Sequence, residues 1–117
     1  MSERRPKLLF DAVAAIAAAQ SFVNGLGLAA YEGNLMLRSA TERQLEILGE
    51  ACVHLAREDE TLFARVPAAR MAVGLRNRII HGYDAVDNET VYRTVIDDLP
   101  ALKAGLAEWL AEFAASA

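Results

Sequence analysis

The chain has 117 residues, of which 54% are hydrophobic and 24% charged, and a formal net charge of −4. This length supports one domain, 1–117, with a real core, and the composition excludes an intrinsically disordered chain. The acidic balance excludes a nonspecific duplex-DNA binder, which needs a broad basic surface, but not a small basic site.

Cys52 is the only cysteine. An intrachain disulfide is excluded, a cysteine-based metal site is not expected, and a reducing cytoplasm suits the chain. Alanine and leucine dominate and only three prolines occur, which points to an all-α fold. The start, Arg4-Arg5-Pro6-Lys7 followed by Leu8 to Ala19, has the outline of a signal peptide. Asp11 interrupts its apolar run, so the better reading is a helix. No segment is expected to span a membrane.

The first helix is expected over Lys7 to Asn24, with Leu9, Val13, Ile16, Gln20 and Val23 at helical spacing and Gly25 as a stop. Leu26 to Gly33 reads as a connection with room for one helical turn. Asn34 can cap a long second helix to Arg57, with Leu37, Thr41, Leu45, Leu48, Cys52 and Leu55 facing inward. Arg38, Glu42, Arg43 and Glu46 read as its solvent face, with Arg38 and Glu42 spaced to pair. Thr61 to Val66 forms a short turn.

Pro67 suits the first turn of a third helix, Ala68 to His81, with Met71, Ala72, Leu75 and Ile79 as its apolar stripe and Gly82 as its stop. Asp87 or Asn88 caps the next helix, which turns Val91, Val95 and Leu99 inward. Asp98-Leu99-Pro100 reads as a stop and restart, because proline is poorly tolerated inside a helix. A last helix runs to Ala115 and buries Leu102, Leu106, Trp109, Leu110 and Phe113. The expected architecture is an antiparallel four- to five-helix bundle.

The charge is not evenly spread. Thr61 to Tyr83 contains Arg65, Arg70, Arg76 and Arg78 and no acid, whereas 84–117 carries seven acids and two bases. On the third helix Gly74, Asn77 and His81 fall at i, i+3 and i+7, opposite the apolar stripe, and Arg76 lies between the two faces. A histidine at a helix end often only complements the helix dipole. This one shares its face with an amide and a guanidinium. Histidine can move a proton near neutral pH, arginine matches phosphate oxygens, and asparagine can orient either. Together Arg76, Asn77 and His81 fit phosphodiester cleavage by an activated ribose 2′-OH, with no cofactor and no metal.

Other residues are weighed between a role in the site and a structural one. Arg78 is an RNA-backbone contact or a solvated charge. Glu50 pairs with Arg76, positions a site group, or is a surface carboxylate. His54 reads as a surface residue and Cys52 as core. Trp109 and Phe113 read as core or dimer packing, and Asp97-Asp98 as capping rather than a metal pair.

The chain resembles the HEPN superfamily, and within it the HepT-like toxins of bacterial and archaeal toxin–antitoxin pairs. The signature is an arginine, a polar residue and a histidine, here Arg76, Asn77 and His81, extended in the subgroup to a tyrosine, here Tyr83. Arg43 to Ala51, Val86-Asp87 with Val91-Tyr92, and Asp98 to Leu102 also resemble the subgroup, with Tyr92 where many relatives carry tryptophan. The resemblance implies a HEPN-like homodimer that joins two motifs across a cleft, and a metal-independent endoribonuclease acting on RNA. It further implies a cognate minimal nucleotidyltransferase (MNT) antitoxin that transfers AMP to Tyr83. The competing reading is a noncatalytic accessory subunit that binds substrate for such a nucleotidyltransferase. Gly74, on the motif face, would allow close approach of a second helix.

Overall fold

Alanine- and leucine-rich stretches with few prolines are strong helix formers, and the chain uses them almost throughout. The computed structural model describes residues 3–81 and 86–116. The first helix, α1, spans Arg5–Val23 and takes Pro6 in its first turn, where a missing N–H costs nothing. Gly25 adopts φ +77°, a left-handed conformation that ends the helix and that a side chain would strain. A single turn, α2 (Leu28–Glu32), follows. Its Tyr31 is fully buried and packs against Tyr92 at 5.6 Å between ring centroids. The Tyr92 hydroxyl donates to the Leu26 carbonyl (2.5 Å), tying this connection to the second half of the chain.

The long helix α3 spans Leu35–Glu58, and the Asn34 side chain accepts from the Leu37 N–H at 2.9 Å. Thr41, Leu45, Leu48, Cys52 and Leu55 are buried, as expected, and Leu37 is partly so. The Thr41 hydroxyl escapes an unmet hydrogen bond by donating to the Leu37 carbonyl. Burial pushes the Cys52 thiol up to about 12. On the outside the pair that forms is Arg43–Glu46 (3.0 Å), not Arg38–Glu42; Arg38 is half-buried, and its Nε is shut off from solvent.

Asp59 ends α3 and starts the next element, accepting from both the Thr61 N–H and hydroxyl. The short α4 (Leu62–Arg65) and then α5 (Ala69–His81) follow. Ala69, Ala72 and Leu75 bury the inner face of α5, with Met71 and Ile79 packed at its margin. Asp87 caps α6 (Asn88–Arg93) by accepting from the Glu89 N–H and the Thr90 hydroxyl.

The expected break at Asp98-Leu99-Pro100 does not occur. The backbone passes from α6 through a π-helical turn, Thr94–Asp98, directly into α7, Leu99–Ser116. The Leu99 N–H reaches the Thr94 carbonyl, five residues back. The wider turn provides room for the Pro100 ring, which clashes with the preceding turn of a regular helix and has no N–H to give. Asp98 lies inside this turn and starts no helix.

Packing makes α3 the centre of the bundle: α1 and α5 both pack on it, and α7 packs on α1. Leu9, Ile16, Leu45, Leu48, Leu99, Leu102 and Leu106 fill the space between them. By length and hydropathy α1 could cross a membrane, contrary to the reading of the sequence. In this fold its Leu9, Ala12, Ile16, Ala19 and Val23 line the core.

Candidate functional site

The helix α5 carries the motif, and its orientation follows from its apolar stripe. With Ala72 and Leu75 turned into the core, Gly74, Asn77 and His81 all come to the surface. Arg76 takes the margin between the two faces and is half-buried. Its Nη1 donates to the Asn77 Oδ1 at 2.9 Å, so the guanidinium and the amide form one unit. His81 is the last residue of α5 and is exposed on the same face as Asn77. A helix C-terminus favours positive charge, which Arg78 supplies in the last turn.

The stem of Arg76 lies against α3 at Gly49, which is buried. No helix of this chain passes over Gly74, whose surroundings are open to 4 Å among the described residues. Within the chain the close helix approach is at Gly49, on the side of α5 away from Gly74.

The four arginines of the acid-free stretch separate. Arg65 stacks on Trp109, 4.6 Å from the ring centroid, and pairs with Glu112. Arg70 stacks on Phe63 at 4.5 Å. Those two hold the bundle together away from the motif. Arg78 is exposed and lines a small cleft with Leu75, Asp87 and Thr90 beside the motif helix. The local excess of charge near His81 thus comes down to Arg76 and Arg78.

Glu50 is exposed on α3 and makes no hydrogen bond to Arg76. Instead it lines an open groove between α1 and α3 with Asp11, Ile47 and His54. His54 is half-buried there rather than free on the surface. Trp109 is buried and Phe113 half-buried, and both receive an arginine: Phe113 lies under Arg5 at 5.0 Å. Arg5 in turn binds Asp59 at 2.8 Å, and hydrogen bonds from Thr61 and Arg5 hold that carboxyl below its ordinary value. This group closes the end of the bundle. Tyr83 lies outside the described residues.

The family model described as ribonuclease HepT-like matches residues 13–108, which includes both α5 and its bed on α3. The chain belongs to the HepT-like family. A "Putative RNase" of Methanocaldococcus jannaschii is 34% identical over 104 residues, covering 88% of this chain and 94% of that protein. A "Putative RNase" of Caldanaerobacter subterraneus is 31% identical over 88 residues, covering 75% of this chain and 78% of its own length. A "Probable ribonuclease HepT" of Thermococcus cleftensis is 38% identical over 64 residues, covering 55% and 57%. No solved structure matches the chain.

For a HepT-like chain the informative residue that sequence reasoning passed over is Gly49. A glycine inside a long helix lowers helix stability by about 1 kcal/mol relative to alanine, which is the signal that a neighbour comes close. Its partner, Arg76, could not be read from spacing, because the two are far apart in sequence.

Proposed function

We propose that this chain is a metal-independent endoribonuclease and the toxin of a toxin–antitoxin pair, with Arg76, Asn77 and His81 as its catalytic residues. The observation that carries the reading is the Arg76–Asn77 hydrogen bond on an exposed helix face that ends in His81, in a chain of the HepT-like family. His81 takes the proton of a ribose 2′-OH as the oxygen attacks the adjacent phosphorus. Arg76, oriented by Asn77, neutralises the charge that builds on the phosphoryl oxygens. The bond from phosphorus to the 5′-oxygen of the next nucleotide breaks, that oxygen takes the proton back from His81, and the upstream RNA ends in a 2′,3′-cyclic phosphate.

One copy offers few cations. A homodimer that brings two α5 helices across a cleft, at Gly74, doubles the positive charge facing the RNA. Arg78 is positioned to add a backbone contact. The cognate partner is a minimal nucleotidyltransferase that joins the Tyr83 oxygen to the α-phosphorus of ATP and releases pyrophosphate. The AMP placed there adds an anion two residues from His81, which repels RNA.

The test is direct. Wild type and His81→Ala are incubated with RNA in EDTA. Cleavage by wild type alone, leaving 2′,3′-cyclic ends, supports the reading. Intact RNA with folded, unmodified wild type removes it and leaves the accessory-subunit reading. Intact mass after incubation with the partner and ATP should rise by whole AMP units, and Tyr83→Phe should abolish the rise.

A further inference from the structure

We infer that Gly49 is a positioning residue for Arg76, acting from a different helix on the same site; this rests on the ribonuclease reading. A Cβ at residue 49 would overlap the Arg76 Cβ outright. It would also lie 2.8 Å from the Arg76 Cγ and 2.9 Å from the Ala72 carbonyl oxygen. Backbone and stem atoms cannot swing aside as the tip of a long side chain can, so α5 itself must move.

No other described glycine has such a contact. Gly74 meets nothing within 4 Å, and at Gly105 the nearest atom is a Val66 methyl at 3.2 Å. Helix propensity favours alanine over glycine in the middle of α3. Glycine at 49 sets the depth at which α5 lies on α3, and with it the direction in which the Arg76 guanidinium leaves the surface to meet Asn77. Any larger residue lifts that turn of α5 and moves the guanidinium relative to His81, five residues further along the same helix.

The experiment compares full-length wild type, Gly49→Ala, Arg76→Ala and the double variant in RNA cleavage. Leu106→Ala, a core truncation in α7, serves as the matched destabilised control. Assays run below the unfolding midpoints of all the proteins. Gly49→Ala should lower kcat by about ten- to a hundredfold, with KM changed by less than about threefold. Leu106→Ala should keep kcat within about threefold of wild type. In the Arg76→Ala background, where the guanidinium is already gone, Gly49→Ala should cost a smaller fraction of the remaining activity than it costs wild type. Full kcat in Gly49→Ala, or the same fractional loss with residue 76 already truncated, would overturn the inference.

A second measurement does not depend on catalysis. Arg76→Gly removes the Cβ that residue 49 would meet, so the fall in Tm caused by Gly49→Ala should shrink by half or more in that background. An equal fall in both backgrounds also overturns the assignment. If Gly49→Ala alone does not fold, folding of Gly49→Ala/Arg76→Gly supports the assignment, and failure of both sinks it. If wild type leaves RNA intact, the ribonuclease reading fails, while the thermal comparison still decides whether residues 49 and 76 are coupled.

Discussion

The Arg76 Nη1 and the Asn77 Oδ1 are joined by a 2.9 Å hydrogen bond between adjacent residues of one helix. Adjacent helical side chains diverge by roughly 100°, so they meet only when one is long and lies along the surface. Arg76 does this because its stem rests on Gly49 while its head is free to turn toward the polar face. The amide oxygen occupies one edge of the guanidinium and leaves other N–H groups to face a phosphate. Asn77→Ala frees the head, and kcat for RNA cleavage should fall by roughly ten- to a hundredfold. Arg76→Lys keeps the charge but loses the fork, and should fall at least as far, by about a hundredfold. Steady-state kinetics on a short RNA checks both.

The Tyr92 hydroxyl ties the α1–α2 connection to α6, 66 residues further along the chain. Tyr92→Phe keeps the ring contact with Tyr31 and removes only that hydrogen bond. The expected loss is about 1 kcal/mol. In a chain of this size this lowers Tm by roughly 4 °C, measurable by circular dichroism. An unchanged Tm would mean that water replaces the tyrosine at the Leu26 carbonyl without loss.

Bundle closure near Asp59 gives a pH signature with a definite sign. Hydrogen bonds from Thr61 and Arg5 lower the Asp59 pKa, and Arg5 lowers that of Glu3 to about 2. A carboxyl depressed in the folded state stabilises above its unfolded value, about 4, and loses that contribution as pH falls. Wild type should therefore lose Tm between pH 5 and pH 3 by more than Asp59→Asn does. Thermal melts at the two pH values would show it, and parallel losses would assign the acid sensitivity elsewhere.

Cys52 has the opposite sign. Its thiol is pushed up to about 12 by burial, and the neutral form is the one the core holds. That stabilisation is complete below the unfolded value, about 8.5, and is lost as pH rises toward 12. Native protein at pH 8.5 should react with iodoacetamide only as fast as it opens, and urea should raise the rate to that of a free thiol. A fast native reaction would contradict the burial.

Most helix limits were legible because the signals are local. Asn34, Asp87 and Gly25 act within three residues of themselves, and the apolar spacing in α3 and α5 reports directly on which side faces the core. The polar face of Gly74, Asn77 and His81 was legible for the same reason. Contacts between distant segments were not. Spacing could not reveal that Arg65 lies on Trp109, that His54 and Glu50 share a groove with Asp11, or that Gly49 receives Arg76. Pro100 differs for another reason: proline is poorly tolerated inside a regular helix, which points to a stop and restart, whereas a wider turn carries the helix through.

That turn has a consequence for chain length. A hydrogen bond spanning five residues rather than four places one extra residue in the ring it closes, and Leu99 to Thr94 is such a bond. The segment therefore behaves as a regular helix carrying a single-residue insertion, with Pro100 as the residue that makes the insertion useful. Deleting Ile96, which is exposed, would restore ordinary helical pairing and drive the proline ring into the turn before it. Deleting Ile96 together with Pro100→Ala should be milder than the deletion alone. Length and imino acid are thus a linked pair, and neither can be edited safely without the other.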